Sequence, residues 1–89
     1  MKIDIELQNV VIRNIGDKNI LVDIKNNKVF IINEITYYLI EEILCSNYID
    51  IFKYSKLYNL EIDEAKTDIN NLIKFLDSNN LVKGDKVLL

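Results

Sequence analysis

The stretch that decides the fold runs from Lys18 to Leu44, KNILVDIKNNKVFIINEITYYLIEEIL. Apolar residues fill Ile20-Leu21-Val22-Asp23-Ile24, the chain turns at Asn26-Asn27, and it returns as Val29-Phe30-Ile31-Ile32. At Asn33-Glu34 the spacing changes, and Ile35, Leu39 and Ile43 recur at helical intervals. A period of two passing into one of about 3.6 across a single Asn marks a β-hairpin running directly into a helix.

Working outward, residues 19–24 and 28–32 form the hairpin strands. Asn26-Asn27 reads as a two-residue loop, since Asn tolerates the positive φ that tight hairpin turns require. Upstream, Val10-Val11-Ile12-Arg13 gives a strand over 10–13, with Gly16-Asp17 as the turn after it. Residues 3–7 read as a short strand or an extended arm. Downstream, Asn33 caps a helix over 34–45, and Glu34 suits the positive end of its dipole. A second helix is expected over 49–58, entered at Asn47 and carrying Ile51, Phe52, Ser55 and Tyr58. The third, over 63–79, places Ala65, Ile69, Leu72 and Leu76 on one stripe that Ile73 widens. Asn79-Asn80 ends it, Leu81-Val82 tuck into the core, and Gly84-Asp85 begin a tail that is a candidate wing strand. The expectation is an α+β fold, a three-stranded antiparallel sheet packed on three helices, winged helix-turn-helix-like.

The sheet has apolar residues on both faces. Ile20, Val22, Ile24, Val29 and Ile31 share one face, and Leu21, Asp23, Phe30 and Ile32 the other, beside Lys25 and Lys28. The pattern alone favours the first set as core, but it does not decide between the two faces, and the choice stays open at this point.

With 89 residues, 49% of them hydrophobic, the chain is a single domain able to bury a core without staples. A formal charge of −3, with Arg13 the only arginine, argues against partners bound through phosphates, whether nucleic acid or anionic membrane. The expected third helix sets Lys66 and Lys74 against Asp63, Glu64, Asp68 and Asp77, a balance that phosphates would repel. Cys45 is the only cysteine, so no intrachain disulfide forms and a reducing cytoplasm is the expected compartment. Met1-Lys2-Ile3-Asp4-Ile5-Glu6 alternates charged and apolar residues and resembles neither a signal peptide nor a membrane span. Heavy use of Ile, Asn and Lys is the mark of an AT-rich bacterial genome.

No catalytic residue, metal site or cofactor site emerges. The chain has no histidine, which removes Ser-His, Cys-His and His-metal chemistry. Cys45 beside Leu44 reads as a small core residue. Glu41 and Glu42 point about 100° apart on a helix and read as a solvated face. Asp23, Asp50, Asp63, Glu64 and Asp68 lack calcium-loop spacing, and two glycines, Gly16 and Gly84, do not make a phosphate loop.

One further set of residues bears on function. Asp23 and the run Val29-Phe30-Ile31-Ile32-Asn33-Glu34 leading into an apolar helix resemble the PqqD-like family. So does Tyr58-Asn59-Leu60-Glu61-Ile62-Asp63-Glu64-Ala65-Lys66-Thr67-Asp68-Ile69, with Leu76 and the closing Asn80-Leu81-Val82. These are recognition elements of ribosomally made, post-translationally modified peptides, and the resemblance covers residues 10–82. Asn27 stands where the family usually has Gly, and the third helix ends at Asn79-Asn80 without its usual Gly; Asn accepts both conformations.

The resemblance implies a winged-helix arrangement that binds the leader of a precursor peptide as an added strand beside the third sheet strand, and it makes the Ile32 position core, opposite to the pattern, so the core face is left open. The third helix closes the groove, and the leader is delivered to a modifying enzyme, often a radical SAM enzyme. That is β-augmentation, with affinity from main-chain hydrogen bonds and selection from side-chain pockets. The expected peptide-binding residues are Val29, Phe30 and Ile31 on the strand and Asp68, Asn71, Leu72 and Phe75 on the helix. Phe75 reads equally as a groove wall or an extension of the core. If Lys25 and Lys28 close the hairpin, Val29 and Ile31 point their backbone groups to the free edge. A structural adaptor of a biosynthetic enzyme and a winged-helix transcriptional regulator stand as alternatives, and a monomer and a homodimer are both open.

Overall fold

The computed structural model describes residues 1–84. Five strands and three helices follow one another as β1 (Lys2–Asp4), β2 (Val10–Ile15), β3 (Lys18–Asp23), β4 (Lys28–Ile32), α1 (Glu34–Ser46), β5 (Tyr48–Asp50), α2 (Ile51–Leu57) and α3 (Ile62–Ser78). The fold is α+β: an antiparallel sheet in the order β2-β3-β4 packs on three helices, and β1 and β5 form a separate two-stranded ribbon. The wing strand expected after Gly84-Asp85 lies outside the described residues.

Local chemistry accounts for most boundaries. Asn33 caps α1, its side-chain oxygen accepting from the Thr36 N–H at 2.7 Å. Glu61 and Glu64 form a capping box at the start of α3. Helices α2 and α3 both close in Schellman motifs. The Leu60 N–H reaches the Ser55 carbonyl at 2.8 Å, and the Leu81 N–H reaches Leu76 at 2.9 Å. The left-handed residues in these motifs are Asn59 (φ 53°) and Asn80 (φ 60°). Asn9, Asn27 and Asn47 are left-handed too, so asparagine repeatedly takes the role glycine usually fills.

Three expectations need correction, and one open choice is decided. The segment 49–58 is not one helix. Tyr48–Asp50 is a strand paired with β1 in the register Lys2↔Asp50, Ile3↔Ile49 and Asp4↔Tyr48. The helix begins at Ile51, capped by the Asp50 carboxylate on the Lys53 N–H at 3.2 Å. Asn47 is not its entry but the left-handed end of α1. A distant N-terminal strand here overrides local helix propensity, and it buries Ile3, Ile5 and Ile49 in the core.

The hairpin loop is not Asn26-Asn27 alone. Strands β3 and β4 pair Asp23 with Lys28, leaving residues 24–27 as the loop. The Asp23 carboxylate stabilises the longer turn, accepting from the Asn26 N–H at 3.2 Å and the Asn26 Nδ2 at 2.9 Å. Cys45 is exposed rather than a core residue, because it falls on the solvent side of the last turn of α1.

The open choice of sheet face is decided for the second set, as the resemblance and not the pattern has it. Leu21 and Asp23 are buried, and Phe30 and Ile32 pack against the core, whereas Ile24, Val29 and Ile31 are exposed. The side chains on the outer face are β-branched, which favours extended backbone whether or not they are buried. The pattern's preference for them as core therefore reflects strand propensity rather than burial. Asp23 sits inside because Asn26 satisfies its carboxylate, holding its pKa below the ordinary 3.8.

Leu81 and Val82 are buried, with Leu7 bridging to Val82. The Gln8 N–H to Leu81 and Lys83 N–H to Glu6 bonds tie the N-terminal arm to the chain beyond α3. The stripe on α3 is buried as spaced: Ala65, Ile69, Leu72, Ile73 and Leu76.

Candidate functional site

Strand β4 is an edge of the sheet among the described residues, so one row of its backbone groups lacks a strand partner. Which row follows from the register. The Ile24 N–H bonds to the Asn9 carbonyl at 2.9 Å, which makes that pair hydrogen-bonded. Alternation along β3 then turns Ile20 and Val22 toward β2, and Asn19, Leu21 and Asp23 toward β4. Their partners Ile32, Phe30 and Lys28 face inward. Val29 and Ile31 are left directing N–H and C=O to the open edge, because a four-residue loop keeps the same parity as the two-residue one.

A groove of about 470 Å³ runs beside this edge, walled by Phe30 to Asn33 of β4 and the cap, by Ile35, Thr36 and Leu39 of α1, and by Asp68, Asn71, Leu72 and Phe75 of α3. The strand and helix walls meet where the rings of Phe30 and Phe75 pack edge to face, 5.3 Å between centroids at 85°. Phe75 is half-buried: it joins the core and lines the groove at once. Leu39 and Leu72 supply the apolar floor.

Of the groove's polar side chains, Asn33 and Asp68 are held in place by hydrogen bonds. The Tyr54 hydroxyl of α2 donates to Asp68 Oδ2 at 2.9 Å, fixing that carboxylate at the wall. Burial and then the Asp68 bond push the Tyr54 pKa well above the ordinary 10.0, so the hydroxyl stays a donor at any physiological pH. Tyr54 in turn packs on Tyr58, and Tyr58 on Tyr38, at centroid distances of 5.4 and 5.7 Å. Tyr38 is raised by burial and by Glu42. Glu42 also holds Lys53 at 3.0 Å and raises its pKa.

Of the residues expected from sequence, Phe30, Ile31, Asp68, Asn71, Leu72 and Phe75 all line this groove. Val29 does not: its side chain lies on the outer face, 63% exposed, and only its backbone belongs to the edge. Sequence reasoning missed Ile32, Asn33, Ile35, Thr36 and Leu39. Ile35 and Leu39, one turn apart just after the strand, carried a usable signal. Tyr54 left none, being fourteen residues from Asp68 with no periodic relation to it.

Among the described residues no helix is long and apolar enough to cross a membrane, and no group of three or more His, Cys, Asp or Glu is placed to hold a metal ion. No family model, curated protein or solved structure matches this chain.

Proposed function

We propose that this chain is a peptide-recognition domain of the PqqD-like, winged-helix kind. It captures the leader of a ribosomally made precursor by strand addition at β4 and presents it to a modifying enzyme, for which a radical SAM enzyme is one candidate. The observation that carries the reading is the coincidence of an open strand edge with an apolar groove. The backbone groups of Val29 and Ile31 face outward beside a groove of about 470 Å³ that can take alternate side chains of an added strand. An apolar edge strand left uncovered is an aggregation hazard, and a peptide strand is a natural cover. The domain itself performs no chemistry in this reading, binds no nucleic acid, and works in the cytoplasm.

The test is a titration with the leader-length segment of a precursor encoded beside the gene, followed by amide hydrogen exchange. The Val29 and Ile31 amides exchange freely alone and become protected on binding, whereas Phe30 and Ile32 are protected throughout. Absence of binding, or protection that avoids β4, refutes the reading. A second reading, an adaptor docking through the outer sheet face, draws on the exposed Ile15, Ile24, Val29 and Ile31. It predicts capture of the enzyme with no protection at the edge by the leader.

A further inference from the structure

We infer that the groove selects a peptide with a lysine or arginine two residues from an apolar anchor, and that Asp68 is the residue that reads the cation. This deepens the strand-addition reading and rests on it.

Among the described residues Asp68 is the only formally charged one lining the groove; the others lining it are apolar or neutral. Asp68 is exposed to solvent, so its negative charge beside Phe30, Leu72, Phe75 and Asn71 discriminates through a screened interaction. It attracts a cationic side chain brought in by the strand and repels an acidic one. Its position is built rather than incidental. The Tyr54 hydroxyl holds Oδ2 at 2.9 Å, and ring contacts with Tyr58 brace Tyr54, so the carboxylate needs little ordering when a partner arrives. A carboxylate with one oxygen so engaged still accepts from an ammonium or guanidinium.

Spacing follows from geometry. Side chains of an added strand that face α3 recur about every 6.7 Å. Asp68 and Phe75 are seven positions apart on the helix, about 10.5 Å along its axis. For a strand added along the α3 axis, an apolar residue against Phe30 and Phe75 puts the next inward position about 4 Å short of Asp68, a gap that a long lysine or arginine stem covers.

The experiment is affinity selection from a displayed library of fully randomised strand-length peptides, run on the full chain and on Asp68→Asn and Asp68→Lys. Asparagine keeps an acceptor for Tyr54, so the fold is preserved. The wild type is expected to enrich a basic residue two positions from an apolar one. The enriched peptide is expected to bind Asp68→Asn about threefold to fivefold more weakly, a difference that shrinks with added salt. Asp68→Lys is expected to enrich acidic residues at the same position. Apolar peptides enriched with no basic preference, or an Asp68→Asn affinity equal to wild type, overturn the inference and leave strand addition standing. Failure to enrich any peptide overturns both.

Discussion

Proline at two neighbouring positions of β4 separates the strand's two edges. The Phe30 N–H points to Leu21 on β3, so Phe30→Pro deletes a ladder hydrogen bond and leaves a buried carbonyl unpaired, costing about 1–3 kcal/mol. Losing the edge-to-face contact with Phe75 adds about 0.5–1.5 kcal/mol. A combined loss of about 1.5–4.5 kcal/mol is a large share of the stability of a small domain, and lowers Tm by about 6 °C or more. Ile31→Pro differs at every step. Its N–H faces the open edge, and its side chain is 71% exposed, so stability changes by less than about 1 kcal/mol. The same substitution removes a donor to the added peptide strand, worth about 1 kcal/mol or about fivefold in Kd, and the proline ring crowds the edge as well. Thermal unfolding by circular dichroism and calorimetric titration with the leader peptide measure the two quantities separately. If Ile31→Pro is folded and binds normally, the docking edge is wrong. If it melts as early as Phe30→Pro, the parity of the strand is wrong.

Asp23 should make stability fall at acid pH. Its depressed carboxyl pKa contributes stability that is complete above the ordinary value of 3.8 and lost as pH drops through the lower folded value. Asp23→Asn should flatten that part of a pH-dependent denaturation curve. Asn47 is left-handed with φ 60°, so Asn47→Val is expected to destabilise by about 1–2 kcal/mol in urea titration, and Asn47→Gly by far less. Because Cys45 is exposed, a thiol reagent should label it without unfolding, and Cys45→Ala should shift stability by less than about 0.5 kcal/mol. Duplex DNA should bind negligibly at physiological salt, given a charge of −3; a sub-micromolar, steeply salt-dependent complex in a fluorescence assay would overturn this.

What could be read from the chain alone was governed by interactions within a few residues. Asn33 announces α1 because its cap is satisfied three residues on, by the Thr36 N–H. The stripe of α3 is legible because one face of a helix repeats along the sequence, and that repeat also put Asp68, Leu72 and Phe75 on neighbouring flanks. Edge parity survived a mistaken loop length, because alternation along a strand depends only on whether the loop is odd or even. Tertiary structure decided the rest. Both faces of the hairpin are apolar, so only the helices packed on it determine that Leu21 and Phe30 go inward while Val29 and Ile31 go out. Tyr48–Asp50 became a strand because Lys2–Asp4, more than forty residues away, offered it a partner. The grip of Tyr54 on Asp68 joins two helices whose sequences carry no trace of each other. Local hydrogen bonding and periodicity are written into neighbouring residues; the choice between two equally apolar faces is made only when the core closes around one of them.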